Sequence, residues 1–162
     1  MLKYRYSRVL HWGECDPGGI IFSPNYARWM AEGLAQMFLS VGIDAHRLDG
    51  DLRYGQPLLE QNLRFLQPAQ LHDRIEHEIR VAKVGTKSLT FEHRFFRGTT
   101  CLMEAREIRV WGAHPLTTPE RLVAVEIPAD VRAILTAPMA QKAPEGPWEP
   151  PGELDSRSEA LK

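Results

Sequence analysis

The sequence has little cysteine, no excess of charge of one sign and no long apolar run. Its only cysteines, Cys15 and Cys101, lie far apart and no C-x-x-C pair occurs, so neither a disulfide framework nor a zinc ribbon is expected. Lys plus Arg number 20 against 21 Asp plus Glu, without the basic excess typical of nucleic-acid binding. No run approaches the roughly eighteen apolar residues of a membrane span, and no signal peptide is recognisable at the N-terminus. These absences predict a cytoplasmic protein that binds neither nucleic acid nor membrane.

What is present predicts one folded domain followed by a tail. With 43% apolar and 25% charged residues, the chain can bury an ordinary core. Five of the twelve prolines fall in the last 25 residues, among Glu, Ser, Lys and Gly, a composition typical of disorder. We therefore expect a domain over residues 1–137 and a Pro-rich, disordered C-terminal tail over residues 138–162, with Trp148 as its single aromatic side chain.

The strongest periodic pattern predicts a helix over residues 24–41. Apolar residues recur there at intervals of three and four, which is typical of a helix with one buried face. We expect Ser23 to cap its first amides, Pro24 to occupy its first position and Gly42 to end it in the left-handed conformation. Gly33 lies on the apolar stripe, where it costs about 1 kcal/mol relative to Ala, so a close neighbour of the helix is expected there.

After Gly55 the apolar period changes from 3.6 to 2, which indicates strands. Segments 74–84 and 88–97 alternate and are joined by the turn Gly85-Thr86-Lys87, and segment 101–111 continues them as a third antiparallel strand. Further strands are expected at 4–12, 58–66 and 121–127, with a short helix at 128–135. One strand, one long helix and then several strands predict an α+β fold, with the helix on one face of an antiparallel sheet.

The segment between the first strand and the helix carries the candidate chemistry. Asp16-Pro17-Gly18-Gly19 predicts a tight turn, in which Pro sets φ at the second place and Gly at the third allows positive φ. Such a turn by itself gives Asp16 only a local structural role. The helix start a few residues on presents unpaired amides and the positive end of a dipole, which favour a developing oxyanion. The carboxylate and these amides could face one substrate carbonyl.

Positions 13–30, Gly-Glu-Cys-Asp-Pro-Gly-Gly-Ile-Ile-Phe-Ser-Pro-Asn-Tyr-Ala-Arg-Trp-Met, resemble the signature of hotdog-fold acyl-CoA thioesterases of the 4-hydroxybenzoyl-CoA thioesterase type. Weaker similarity continues through positions 87–88, 105–110 and 121–130. The resemblance implies a hotdog fold, in which a curved antiparallel sheet wraps around one long helix. It also implies a homodimer or a dimer of dimers with the site at the dimer interface, and no cofactor, since coenzyme A is part of the substrate.

By the same resemblance, Asp16 stands at the family's catalytic carboxylate and the Ser23 amide at its carbonyl-polarising donor. An ordinary Asp, with a pKa of about 3.9, is ionised at neutral pH, which favours attack on the thioester through a mixed anhydride. Activation of a water by Asp16 is the alternative. Ala31 replaces an Asp that reads the 4-hydroxyl in the hydroxybenzoyl enzyme, Phe22 replaces a Trp, and Ser23 replaces a Tyr. A differently substituted aromatic acyl group, or a short aliphatic one, is therefore equally compatible.

Four more residues are candidates for substrate contacts. Gln56 and Glu60 fall on the part of the chain that lines the partner's site in the family, and either could touch the acyl group or be a plain surface residue. Lys83 and Lys87 flank the Gly85 turn, where the family carries basic residues for the phosphates of coenzyme A. An ordinary solvated hairpin is the alternative for these lysines.

The remaining polar residues are expected to be structural. Glu32 and Glu60 are rival candidates for the catalytic carboxylate, since another hotdog thioesterase branch draws its carboxylate from the helix, but a solvated helix face is favoured for Glu32. His77 and His93 are placed in the core or across neighbouring strands. No metal is expected, because regular ligand spacing is lacking among His11, Glu14, Cys15 and Asp16. A hydratase or dehydratase of the same fold is disfavoured, since no His follows Asp16 within ten residues. A non-catalytic acyl-CoA-binding module stays open as a second function.

Overall fold

A computed structural model of the chain describes residues 1–118 and 120–137. The predicted tail at 138–162, with Trp148, lies outside the described residues. Within them, no helix is both long and apolar enough to cross a membrane. The elements follow in the order β1 (Lys3–Val9), a 3-10 helix (Trp12–Glu14), α1 (Pro24–Ser40), β2 (Leu48–Asp49), β3 (Leu52–Gly55), β4 (Leu58–Phe65), β5 (Arg74–Val84), β6 (Ser88–Arg97), β7 (Thr100–Val110), β8 (Gly112–Pro115), β9 (Val123–Ala124) and α2 (Ala129–Thr136).

Five strands form the main antiparallel sheet, in the order β1-β5-β6-β7-β4. The predicted meander of three strands is confirmed as β5, β6 and β7. Along the β1–β5 pair, Val9 lies opposite Arg74 and Lys3 opposite Arg80. The chain therefore leaves β1 beside the start of β5, and the β5–β6 turn lies at the other end of the sheet.

Helix α1 packs its apolar stripe against one face of this sheet. The close approach expected at Gly33 is confirmed, because a Cβ there would lie 2.8 Å from Ile79 Cδ1 and 2.9 Å from the His77 ring. Gly42 ends the helix with a φ of 76°, as predicted. A long helix against one antiparallel sheet is the predicted α+β hotdog arrangement. The stripe is made of Tyr26, Trp29, Met30, Gly33, Leu34, Met37 and Phe38.

The predicted side-chain cap at the start of α1 is wrong. The Ser23 side chain makes no capping hydrogen bond, and its backbone is already helical at φ −52° and ψ −35°. A capping residue needs an extended backbone to bring its side chain back to the first amides. Backbone groups act instead, since the Phe22 carbonyl accepts from the Asn25 N–H at 2.9 Å and the Ser23 carbonyl from the Tyr26 N–H at 3.1 Å.

Other differences from the prediction lie at short elements. The first strand ends at Val9 rather than Trp12, because the chain turns into the 3-10 helix, in which the Glu14 N–H donates to the His11 carbonyl at 2.9 Å. The strand expected at 121–127 is reduced to the two residues of β9. A second sheet, β2-β3-β8-β9, was not predicted, because strands of two to four residues are too short to show an alternating pattern.

A chain of polar side chains crosses the helix-facing side of the main sheet. His77 and His93, predicted to be structural, are buried, with Nε2 of His77 3.0 Å from Nδ1 of His93. Nε2 of His93 lies 3.5 Å from Oε1 of Glu107. The buried Glu107 carboxylate accepts hydrogen bonds from Arg109 Nε at 2.8 Å and from Gln61 Nε2 at 3.0 Å. It is thus the charged centre of a chain that spans β5, β6, β7 and β4.

Candidate active site

A small hairpin loop holds Asp16. The Asp16 N–H donates to the Ile20 carbonyl at 2.8 Å, and the Gly19 N–H donates to the Asp16 carbonyl at 3.0 Å. The predicted tight turn is confirmed, and the positive φ, 77°, falls on Gly19 rather than on Gly18. A type I turn needs no positive φ at its third residue, and the glycine that follows the turn forms the bulge that closes the hairpin.

The Asp16 carboxylate is half-buried and only partly engaged by its own turn. Its Oδ1 accepts hydrogen bonds from the Gly18 N–H at 2.8 Å and the Ile20 N–H at 3.4 Å. Its Oδ2 accepts none from the described residues. The turn therefore fixes the direction of the carboxylate through one oxygen and leaves the other for a substrate or a water.

The Ser23 amide lies at the other end of the same loop. The preceding N–H, of Phe22, donates to the Glu14 carbonyl at 2.9 Å, and the following residue is Pro24, which has no N–H. Within residues 1–118 and 120–137, the Ser23 N–H donates to no acceptor. A free amide at the start of a helix suits a developing oxyanion, so the loop carries a carboxylate oxygen and an amide donor that are both free.

Two predicted acyl-contacting residues, Phe22 and Ala31, lie on the surface near this junction. Phe22 directly precedes Ser23 and is 53% exposed. Ala31 lies on α1 about two turns from its start and is also exposed. Both side chains are apolar and offer no hydrogen bond, so each suits contact with an apolar acyl group.

The predicted coenzyme A contacts lie at the opposite end of the sheet. Lys83 and Lys87 are exposed at the β5–β6 turn, whereas the Asp16 loop lies beside the start of β5. Strand β5 has 11 residues, and at about 3.3 Å per residue its ends are roughly 33 Å apart. The structure therefore does not bring these lysines to Asp16 within one protomer.

Arg132 is a further cation at the β5–β6 turn and was not predicted. Its Nη2 donates to the Gly85 carbonyl at 2.8 Å and its Nη1 to the Val84 carbonyl at 3.4 Å. Arg132 lies on α2, 47 residues along the chain from Gly85, so no local pattern could have linked the two. These bonds attach the turn to α2 and bring the Arg132 guanidinium beside Lys83 and Lys87.

Gln56 and Glu60 lie in different environments. Gln56 is buried, and its Nε2 donates to the Ala45 carbonyl, so one of its two amide hydrogens is already engaged within the protein. Glu60 is exposed on β4, and its neighbour Gln61 contacts Met30 of α1. Because successive side chains of a strand alternate between faces, Glu60 lies on the outer face, and the polar residue of β4 that faces α1 is Gln61. The alternation of β4 was the sequence signal that could have identified it.

The titratable groups beside Asp16 are engaged in ion pairs. Glu14 pairs with Arg8 and with Arg28. Glu32, whose side chain is 43% exposed, pairs with the same two arginines, on the solvated helix face where it was predicted. Among the residues that the structure describes, no three His, Cys, Asp or Glu side chains are grouped so that they could hold a metal ion.

Known proteins resemble this chain in sequence and in structure. The family model of the thioesterase-like superfamily matches residues 10–135. The 4-hydroxybenzoyl-CoA thioesterase of Pseudomonas sp. (strain CBS-3) is 32% identical over 128 residues, which cover 75% of this chain and 89% of that protein.

Solved structures extend the likeness to the fold. A variant of 4-hydroxybenzoyl-CoA thioesterase in complex with 4-hydroxybenzoyl-CoA is 27% identical, with a TM-score of 0.74, over 83% of this chain and 99% of that one. The gentisyl-coenzyme A thioesterase BH1999 is 26% identical, with a TM-score of 0.68, over 79% of this chain and 98% of that one. The predicted fold is thus confirmed over nearly the whole length of these structures.

Proposed function

Because the chain belongs to the thioesterase-like superfamily, we propose that it is an acyl-CoA thioesterase that hydrolyses an aromatic acyl-CoA to the free acid and coenzyme A. The similar proteins are named for 4-hydroxybenzoyl-CoA and gentisyl-CoA, both of which are aromatic thioesters. The observation that carries the proposal for this chain is the single loop that presents a free Asp16 Oδ2 and a free Ser23 N–H.

In the proposed reaction, Asp16 Oδ2 attacks the thioester carbonyl carbon and forms a C–O bond. The Ser23 N–H donates to the carbonyl oxygen as negative charge develops on it. The C–S bond then breaks, coenzyme A leaves as a thiolate, and an acyl–aspartyl anhydride remains. Water hydrolyses the anhydride to the free acid and regenerates the Asp16 carboxylate, and the proton released balances the thiolate.

The nucleophilic role is favoured by the way the carboxylate is held. Oδ1 is fixed by the Gly18 and Ile20 amides, so the carboxylate is held in place while Oδ2 stays available to attack a carbonyl carbon. A general base works best with a pKa near the operating pH, whereas an ordinary aspartate titrates near 4. Activation of a water by Asp16 is the second route, and it needs the same two free groups.

The expected substrate is an aromatic acyl group that lacks a hydroxyl at the 4-position. Ala31 and Phe22 supply apolar surface beside the junction, and neither can accept a hydrogen bond from a phenol. The test is release of free thiol from 4-hydroxybenzoyl-, benzoyl- and butyryl-CoA. We expect kcat/KM for benzoyl-CoA to exceed that for butyryl-CoA about 10-fold, and the 4-hydroxyl to bring no gain. Tight binding without thiol release would support the non-catalytic module instead.

We also propose that the working form is a homodimer joined through the edge strand β4. This strand pairs only with β7 among the described strands, and its edge carries exposed apolar side chains at Leu58, Leu59 and Phe65. The other edge strand, β1, carries Arg5, which pairs with Glu76 and Glu78. Strand β4 also carries exposed Glu60 and Arg64, but its three exposed apolar side chains favour pairing with a second copy, whereas the ion-paired edge of β1 resists it.

Such a dimer would complete the site. Around a two-fold axis, two β4 strands pair antiparallel, so that the Leu58 end of one protomer lies beside the Phe65 end of its partner. Within one protomer the Leu58 end lies on the side of the β5–β6 turn, because Leu58 pairs with Arg109 and Val110 with Ser88. The lysines of one protomer are thereby placed toward the Asp16 loop of the other.

Lys87→Ala is expected to raise the KM for the acyl-CoA about 5- to 10-fold, with kcat nearly unchanged, since the lysine would meet a phosphate far from the reacting carbon. The rise should shrink in high salt, which screens an exposed charge pair. The matched control is Arg94→Ala, which removes an exposed cation from the middle of β6 that pairs with Glu104. An unchanged KM for Lys87→Ala would show that Lys87 does not bind coenzyme A and is an ordinary surface residue.

Mixing the Asp16→Asn protein, impaired in catalysis, with the Lys87→Ala protein, impaired in substrate binding, tests the shared site directly. A dimer of one Asp16→Asn and one Lys87→Ala protomer contains one site with both groups intact, if each site takes Asp16 from one protomer and Lys87 from the other. After subunit exchange, activity at low substrate should exceed the mean of the two parents, with roughly a quarter of the wild-type sites restored. Activity equal to that mean would mean that both residues act within one protomer, or that no dimer forms.

A further inference from the structure

The Glu14 carboxylate is a hub that joins three elements around the Asp16 loop. Its Oε1 accepts hydrogen bonds from Arg8 of β1, from Arg28 Nη2 at 3.0 Å and from Trp29 Nε1 at 3.2 Å, both on α1. Its Oε2 accepts from the His11 N–H at 3.0 Å, before the 3-10 helix. The Glu14 side chain is only 12% exposed, as against 21% for Arg8 and 53% for Arg28.

The backbone of the same residue holds the far end of the loop. The Glu14 carbonyl accepts from the Phe22 N–H at 2.9 Å and from Asn25 Nδ2 at 2.8 Å. Glu14 thus lies two residues before Asp16, and it is bonded to the residue directly before Ser23. No other described residue is attached both to β1 and α1 through its side chain and to the end of the Asp16 loop through its carbonyl.

We propose that Glu14 is a positioning residue that sets the separation of the Asp16 carboxylate and the Ser23 amide. The inference rests on the proposed function, because it assigns Glu14 a role through those two groups. Its physical basis is that a misplacement of about 1 Å at reacting groups can cost on the order of 100-fold in rate. A carboxylate bound by two arginines, an indole and an amide leaves the loop little freedom to shift.

The electrostatics agree with a carboxylate that stays ionised. Burial alone would raise the pKa of Glu14, but the His11 amide and the charges of Arg8 and Arg28 outweigh it, so the pKa lies below its ordinary value. The negative charge also keeps Arg8 in place over the Trp29 ring, with the guanidinium carbon 3.9 Å from the ring centroid. Loss of the charge is expected to loosen the contact between β1, the loop and α1.

Glu32 provides a matched control, because it pairs with the same two arginines. Its carboxylate lies 3.2 Å from Arg8 Nη1 and 3.8 Å from Arg28 Nη1. It is more exposed than Glu14, and none of its contacts reaches the loop. If the acidic groups serve only to neutralise the arginines, Glu14→Gln and Glu32→Gln should have similar effects.

The test compares Glu14→Gln, Glu32→Gln and Asp16→Asn in thiol release from benzoyl-CoA, with the fold of each variant checked by circular dichroism. We expect Glu14→Gln to lower kcat about 10-fold or more with KM within about 2-fold, and Glu32→Gln to keep kcat within about 2-fold. The Phe22 amide should exchange its hydrogen faster in Glu14→Gln than in the wild type. A kcat that falls equally in Glu14→Gln and Glu32→Gln would overturn the proposal.

The double variant Glu14→Gln/Asp16→Asn separates positioning from general destabilisation. If Glu14 acts through Asp16, its substitution should cost little further activity once Asp16 is already replaced. An undiminished 10-fold loss in the double variant would show that Glu14 does not act through Asp16. If instead Asp16→Asn alone leaves kcat unchanged, the proposed function fails, which is a different outcome from failure of the positioning role.

Discussion

Asp16→Asn is expected to lower kcat for thioester hydrolysis by at least ~100-fold while the protein stays folded. Asn has nearly the same shape as Asp, and its Oδ1 can still accept hydrogen bonds from the Gly18 and Ile20 amides. The turn should therefore persist. What is lost is the negative oxygen at Oδ2, which is needed whether Asp16 attacks the carbonyl or activates a water.

The measurement is the initial rate of thiol release at saturating benzoyl-CoA, with the circular dichroism spectrum recorded for each variant. Asp44→Asn is the matched control, because Asp44 also opens a turn, with its Oδ1 accepting from the His46 N–H at 3.0 Å. That variant should turn over at the wild-type rate. If Asp16→Asn turns over at the wild-type rate, Asp16 is not the catalytic residue, and only the assignment of the fold stands.

The largest effect on stability is expected at Glu107. Glu107→Gln should lower the free energy of unfolding by about 3 kcal/mol, because it removes a buried charge and leaves the Arg109 guanidinium without its counter-charge. Burial by itself would raise the pKa of Glu107, but hydrogen bonds and charges from His93 and Arg109 lower it to about 2. The ionised carboxylate is therefore strongly favoured in the folded protein.

Urea unfolding at fixed protein concentration measures this loss, with Glu104→Gln as the control on the same strand. The Glu104 side chain is 39% exposed and pairs with exposed Arg94, so its replacement should change stability by less than about 0.5 kcal/mol. Equal losses in the two variants would contradict the special role of Glu107.

The pH dependence follows from the sign of the same shift. The folded-state pKa of Glu107 lies below its ordinary value, so its contribution to stability is complete above about pH 4.5 and is lost as the pH falls toward 2. Wild-type protein should therefore lose roughly 3 kcal/mol more than Glu107→Gln across that interval. Parallel stability curves for the two proteins between pH 5 and pH 2 would show that Glu107 is not the group responsible.

Much of the fold was predictable from periodic patterns. The helix was predicted one residue too long, and the β5 and β6 strands were predicted with their observed bounds. These three elements are long and have one buried face, so the apolar period repeats over many residues in each of them. Prediction failed at β2, β3 and β8. Strands β3 and β8 pair with each other from distant parts of the chain, and β2 is a two-residue strand that pairs with β3.

The site was predictable in part. Asp16 was predicted from its turn beside the helix start, and the Ser23 amide from the family resemblance; their catalytic roles stay predictions. The polar chain through Glu107 and the attachment of Arg132 to the β5–β6 turn were not, because each joins residues that are far apart in the sequence. The direction of Glu60 was missed as well, since it depends on which face of β4 meets α1.

The amino-acid sequence by itself determined the α+β class, the long helix with its glycine at the crowded position, and the loop that carries Asp16. These properties follow from local preferences and from spacing along the chain. Only the tertiary structure decided that the Ser23 amide has no acceptor among the described residues, that Glu14 joins three elements, and that the lysines lie at the far end of the sheet from Asp16. Those properties depend on distances between segments that meet only when the sheet packs on the helix.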